Sequence, residues 1–166
     1  MSEEHRSMSQ SERMKLPRQP MPTQPADVRA HNFSEVALGY GEQVAALESA
    51  RCLQCKRPKC VEGCPVNVQI PQFIERLREG GLPGAVRSLK TDNSLPAICG
   101  RVCPQETQCE ALCVVGKKGQ PVAIGRLERF VADWDLAHPS PPPELPPASG
   151  TRVAVIGCGP AGLTCA

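Results

Sequence analysis

Eight of the ten cysteines fall in two groups of four. The first group runs Cys52-x2-Cys55-x4-Cys60-x3-Cys64, with Pro65 directly behind it. The second runs Cys99-x3-Cys103-x5-Cys109-x3-Cys113, with Pro104 directly after its second cysteine. Thiols grouped this way pair as disulfides, hold zinc or hold iron–sulfur clusters. Disulfides suit a secreted chain, but the N-terminus, MSEEHRSMSQSERMK, is polar and lacks the apolar stretch of a signal peptide. Structural zinc takes four thiolates tetrahedrally, usually from paired C-x2-C knuckles, and only one C-x2-C occurs here. The bacterial ferredoxin run C-x2-C-x2-C-x3-C-P comes closest. A gap of four replaces its middle gap of two; the terminal Cys-Pro is kept. Short gaps let successive thiolates wrap three corners of one cubane, and the cysteine after x3 turns towards a second. On that logic Cys52, Cys55 and Cys60 serve one cluster and Cys64 the other, with the second run completing both. Eight thiolates would suffice for two clusters, and zinc stays open as the competing metal.

A second motif lies near the C-terminal end, RVAVIGCGPAGLTCA. Val153–Ile156 reads as a short β-strand. Gly157, Gly159, Pro160, Ala161 and Gly162 then fall on G-x-G-x-x-G, the loop by which a strand passes into a helix whose N-terminus receives a pyrophosphate. A βαβ unit needs about 30 residues and an acidic residue about 20 further on, and the sequence stops at Ala166. The expectation is therefore the truncated start of an FAD-binding Rossmann-type α/β domain. Cys158 and Cys165 lie in it as incidental small residues.

The elements that must position the cysteines read as helices. Ala123, Leu127, Phe130, Val131 and Trp134 form one apolar stripe at helical spacing. Ile70, Phe73, Ile74 and Leu77 form another, with Pro71 suited to a first turn and Gly80-Gly81 to an end. Glu42–Arg51 is a third candidate, with Val44 and Leu47 facing inward, and Leu82–Lys90 a shorter fourth. Alternating strand patterns are missing between residues 28 and 138.

Composition sets the frame. The 166 residues hold 18 Pro and 14 Gly but only five aromatics, Phe33, Tyr40, Phe73, Phe130 and Trp134. Large rings supply much of an ordinary core, so metal staples are expected to compensate. The chain divides into a flexible polar tail (1–27), a helical two-cluster domain (28–138), a Pro-rich linker (139–150) and the Gly-rich stretch (151–166). The formal charge of +2 and the absence of interleaved basic and aromatic residues argue against nucleic acid. No apolar run approaches the ~20 residues of a membrane span, so a cytoplasmic protein without membrane contact is expected. Lys56, Arg57, Lys59 and Arg101 lie beside the cysteines and could offset cluster charge.

The stretches FSEVALGYGEQVAALESARCLQCKRPKCVEGCPV and AICGRVCPQETQCEALCVVGKKGQPVAIGRLERFVADW, with VIGCGPAGL behind them, resemble one family. It comprises the N-terminal domain of the glutamate synthase small subunit and its counterparts in dihydropyrimidine dehydrogenase and the large subunit of the bifurcating ferredoxin:NADP oxidoreductase. The resemblance covers residues from about 30 to 166. It implies a mostly α, ferredoxin-like domain with two [4Fe–4S] clusters, followed in the intact protein by FAD and NADPH domains. It implies Cys52, Cys55, Cys60 and Cys113 as ligands of one cluster. For the other it implies Cys64, Cys103, Cys109 and a carboxylate, Glu128, one position off the stripe of Leu127 and Val131. Cys99 matches a cysteine that is not a ligand. The implied function is electron transfer from NADPH through FAD and the clusters to a large catalytic subunit or another redox subunit. Within the family the glutamate synthase small subunit is favoured over a ferredoxin:NADP oxidoreductase or sulfide dehydrogenase-type subunit. A zinc-stapled helical interaction module is the alternative from a different class. No catalytic base or nucleophile is visible.

Overall fold

The structure is a computed structural model and describes residues 8–139, 141 and 144–166. The described residues form nine α-helices and two 3-10 turns, and no strand. The helices are α1 (Gln10–Lys15), α2 (Ala26–Arg29), α3 (Glu42–Ala50), α4 (Lys59–Glu62), α5 (Ile70–Arg78), α6 (Leu82–Asp92), α7 (Pro96–Val102), α8 (Ile124–Ala137) and α9 (Pro160–Cys165). None is long and apolar enough to cross a membrane.

The apolar stripes do what their spacing predicts. α5 buries Ile70, Phe73, Ile74 and Leu77, with Pro at its start. α6 buries Ala85, Val86 and Leu89. Leu127, Val131 and Ala132 of α8 close the same core, which also takes in Tyr40, Val68, Val115 and Val122. Half-buried Cys52, Cys60, Cys64 and Cys113 pack against this core.

α3 departs from the expectation. Its buried residues are Ala45, Glu48, Ser49 and Ala50, while Val44 and Leu47 are only half-buried. Glu48 pairs with Arg51 at 2.6 Å, both almost fully buried. Every remaining polar atom of the pair is directed at backbone. Arg51 donates to the carbonyls of Leu16, Gln120 and Pro121, and Glu48 accepts from the amides of Gln19 and Ala123. A buried ion pair needs such satisfaction to survive desolvation. Hydrophobic periodicity is blind to it.

Residues 8–27 are not a free tail. Arg13 of α1 is buried and donates to the carbonyls of Met8, Ala50 and Cys52. Arg18 pairs with buried Glu110 at 2.7 Å. Thr23 and Ala37 form an isolated antiparallel bridge. The segment is polar because its partners are carbonyls and carboxylates of the domain. Residues 1–7 lie outside the described residues.

α7 and α8 cross in close contact at Gly100. A Cβ there would lie 2.6 Å from the Arg129 amide nitrogen, so the crossing requires glycine. Beyond the Pro-rich segment, of which Ser140, Pro142 and Pro143 lie outside the described residues, the expected strand at 153–156 does not form. Val153 is 81% and Ile156 97% exposed. A strand is made by pairing with a neighbour, and no strand occurs among the described residues.

Candidate metal centre

The first cysteine run reaches its place on an unusual loop. The N–H of Cys52 bonds the Ser49 carbonyl as α3 ends. Gln54 then takes φ +52°, a left-handed conformation uncommon for a side-chain-bearing residue. Its amide donates to the Pro71 carbonyl at 3.1 Å and to Cys52 Sγ at 3.5 Å. α4 carries Cys60, and Cys64 follows one turn later with its N–H on the Val61 carbonyl. In the second run, α7 carries Cys99 and ends at Cys103, and Cys113 opens the 3-10 turn Val114–Lys117.

These pieces meet in one pocket. Cys52, Cys55, Cys60 and Cys113 line it together, among Leu53, Ile70, Ile74, Val115, Val122 and Ile124. The fourth cysteine comes from more than fifty positions beyond the third. Among the described residues no three metal-ligating side chains are gathered as one metal ion requires. Four cysteine sulfurs are the donor set of a [4Fe–4S] cluster, so the chemistry of this pocket fits one.

Electrostatics shows what the thiols lack. Burial, above all, pushes Cys52 up to about 11 and Cys60 to about 12, and neighbouring cysteine charges push the same way. Burial, followed by Cys113, also raises Cys55. Four thiolates in an apolar pocket repel one another until cationic metal compensates them.

The remaining expected ligands, Cys64, Cys103, Cys109 and Glu128, are linked by electrostatics. Burial raises Cys103 to about 11, with Cys99, Glu128 and Cys64 adding to it. Burial raises Cys109 to about 12, followed by Glu110, Cys64 and Glu128. Cys64 and Glu128 thus each act on both Cys103 and Cys109, and Cys99 acts on Cys103. Glu128, on the interior side of α8, is 8% exposed. Its carboxyl is pushed up to about 7 by burial, opposed by a hydrogen bond from Asn93.

The flanking cations divide. Arg101 forms a fork with Glu35 (2.6 Å) and Asp133 (2.8 Å) that ties the α7–α8 pair to the N-terminal segment. Lys59 lines the first pocket and pairs with Glu62 at 2.6 Å. Lys56 and Arg57 are exposed. Sequence reasoning missed Gln54 and Asn93, whose bonds join positions far apart in the chain. All ten cysteines are free, and Cys158 and Cys165 are exposed.

The Gly-rich stretch runs as a loop into α9. Gly157 has φ +104°, Gly159 caps α9 and Pro160 opens it. A Cβ on Gly162 would lie 2.2 Å from the Gly157 carbonyl oxygen. Ala161 sits in the first turn of α9.

Helices holding two thiol-rich groups define an iron–sulfur class of domain. Residues 29–139 match the family described as dihydropyrimidine dehydrogenase domain II, 4Fe-4S cluster, and the chain belongs to that family. It is 39% identical over 151 residues to the glutamate synthase [NADPH] small chain of Halomonas elongata, covering 90% of this chain and 32% of that one. It is 40% identical over 145 residues to the putative oxidoreductase UacF of Escherichia coli (85% and 22%). It is 35% identical over 133 residues to the NAD-dependent dihydropyrimidine dehydrogenase subunit PreT of Salmonella typhimurium (79% and 32%). The chain thus spans between 22% and 32% of the length of these relatives.

Proposed function

We propose that this chain is the electron-transfer domain of an NADPH-dependent FAD and iron–sulfur oxidoreductase of the glutamate synthase small subunit type. The observation that carries the reading is the pocket in which Cys113 joins Cys52, Cys55 and Cys60. Those four would hold one [4Fe–4S] cluster, and Cys64, Cys103, Cys109 and Glu128 the other. Bound clusters of this type accept and release single electrons. The chain's own part is to hold the ligands, exclude water with the apolar lining around the first group, and set each cluster's surroundings. Gly157, Gly159, Pro160, Ala161 and Gly162 would form the pyrophosphate loop of an FAD domain in the intact protein, with NADPH bound beyond it. Residues 28–138 would be the cluster domain and 139–150 a linker. The receiving partner would be a large catalytic subunit or another redox subunit, in the cytoplasm. The similarity to glutamate synthase small chains supports that member of the family.

Iron and acid-labile sulfide analysis on anaerobically purified protein tests the reading. About eight of each per chain are expected from two cubanes. Stoichiometric zinc, with no EPR-active species on reduction, would replace the redox reading with a zinc-stapled interaction module.

A further inference from the structure

Asn93 follows the last residue of α6, is 7% exposed and faces Glu128 across the interior. Its Nδ2 donates to Glu128 Oε1 at 2.8 Å. The orientation of an asparagine amide is normally ambiguous, but here its other end decides it. Asn93 Oδ1 accepts from the Leu95 backbone N–H at 3.0 Å, and the Cys99 thiol donates to the same oxygen at 3.6 Å. A backbone N–H can only donate, so the carbonyl end is fixed there. The amide N–H is thereby committed to Glu128. One carboxylate oxygen is occupied by this donor, and Oε2 is left for another partner.

We infer that Asn93 is a positioning residue for the Glu128-bearing cluster, selecting the carboxylate oxygen that faces the metal and tuning the potential of that cluster alone. The inference rests on the reading of Glu128 as a ligand. Outer partners that hold a ligating carboxylate orient it and adjust its donor strength. An N–H on Oε1 draws electron density from the carboxylate and favours the reduced cluster, so its loss makes reduction harder. Cys99 gains a part here without being a ligand: its thiol is a second clasp on Oδ1, behind the Leu95 N–H.

The test uses the full chain, loaded anaerobically, with EPR of the reduced protein and a redox titration resolving both clusters. Three variants are compared: Asn93→Leu removes donor and acceptor, Asn93→Asp keeps the Leu95 clasp but sets a carboxylate against Glu128, and Glu128→Ala removes the ligand. Both Asn93 variants are expected to shift the EPR signal of one cluster and lower its midpoint potential, more for Asp than for Leu. The other cluster should keep its wild-type signal and potential. Glu128→Ala should alter the same signal. Wild-type signals and midpoints in whichever Asn93 variants load, with one signal altered in Glu128→Ala, overturn the inference alone. Wild-type signals in Glu128→Ala overturn the ligand reading and this inference with it. Equal change in both clusters, or loss of both, in both Asn93 variants shows a general structural role and also overturns it.

Discussion

At the scale of single residues, Gln54 shows how a side chain of no obvious chemistry acts on its neighbours. It occupies φ +52°, a conformation that costs a residue with a side chain. Its bonds to Cys52 Sγ and the Pro71 carbonyl hold it there and carry the chain from Cys52 to Cys55 over the start of α5. An N–H on a ligand sulfur favours the reduced cluster. On the proposed ligand assignment, Gln54→Leu is therefore expected to lower the midpoint of the cluster assigned to Cys52 and spare the other, as read by redox titration. Cys99→Ala is expected to keep the iron content of both clusters, because the Leu95 N–H still holds Asn93. Loss of about four iron per chain in that variant would make Cys99 a ligand. The two four-cysteine runs were legible because thiols are rare and their short spacing is local. The division of the second run between two groups was not. Spacing alone cannot tell that Cys113 lines one pocket with Cys52 while Cys109 lies within electrostatic reach of Cys64 and Glu128.

Among the elements, α5, α6 and α8 could be read directly because their apolar stripes repeat at the helical period and face one core. α7 was not legible as a helix. Its seven residues carry Pro and Gly and no long apolar stripe, and its packing depends on Gly100 meeting α8. Gly100→Ala would drive a methyl group into the Arg129 backbone, and overpacking of this kind costs about 1–3 kcal/mol. The expected result is a lower melting temperature, with clusters lost more readily on warming. An unchanged melting temperature would mean that the two helices separate without cost. α3 illustrates the converse failure, since its inward face is an ion pair. Glu48→Ala would leave Arg51 buried without its charge partner, a change that costs about 3–5 kcal/mol. The amide it anchors, that of Ala123, lies between Val122 and Ile124 of the first pocket, and Arg51 holds the carbonyls of Gln120 and Pro121 just before them. That variant should therefore lose iron at lower denaturant concentration than wild type.

Over the whole molecule, the N-terminal segment is held to the helical core by charge more than by apolar contact, and this predicts how the protein responds to acid. Glu35 lies between Arg101 and Arg129, at 2.6 and 3.0 Å, and Asp133 bridges the same two guanidinium groups. Arg129 also donates to the Ala37 carbonyl. The hydrogen bond from Arg101 holds the Glu35 carboxyl below its ordinary value of 4.5, against a smaller opposing effect of burial, and Arg129 adds to the lowering. A carboxyl whose pKa falls on folding binds fewer protons in the folded state than in the unfolded state. Its contribution is thus fully present above about pH 4.5 and is lost as pH falls through the lowered folded value. Glu35→Gln removes that contribution at every pH. The gap in melting temperature between wild type and this variant should be level from neutral pH down to about 5 and then narrow in more acid solution. A level gap throughout would show that Glu35 contributes by shape and not by charge. A gap that widened in acid would reverse the sign and place its folded pKa above the ordinary value.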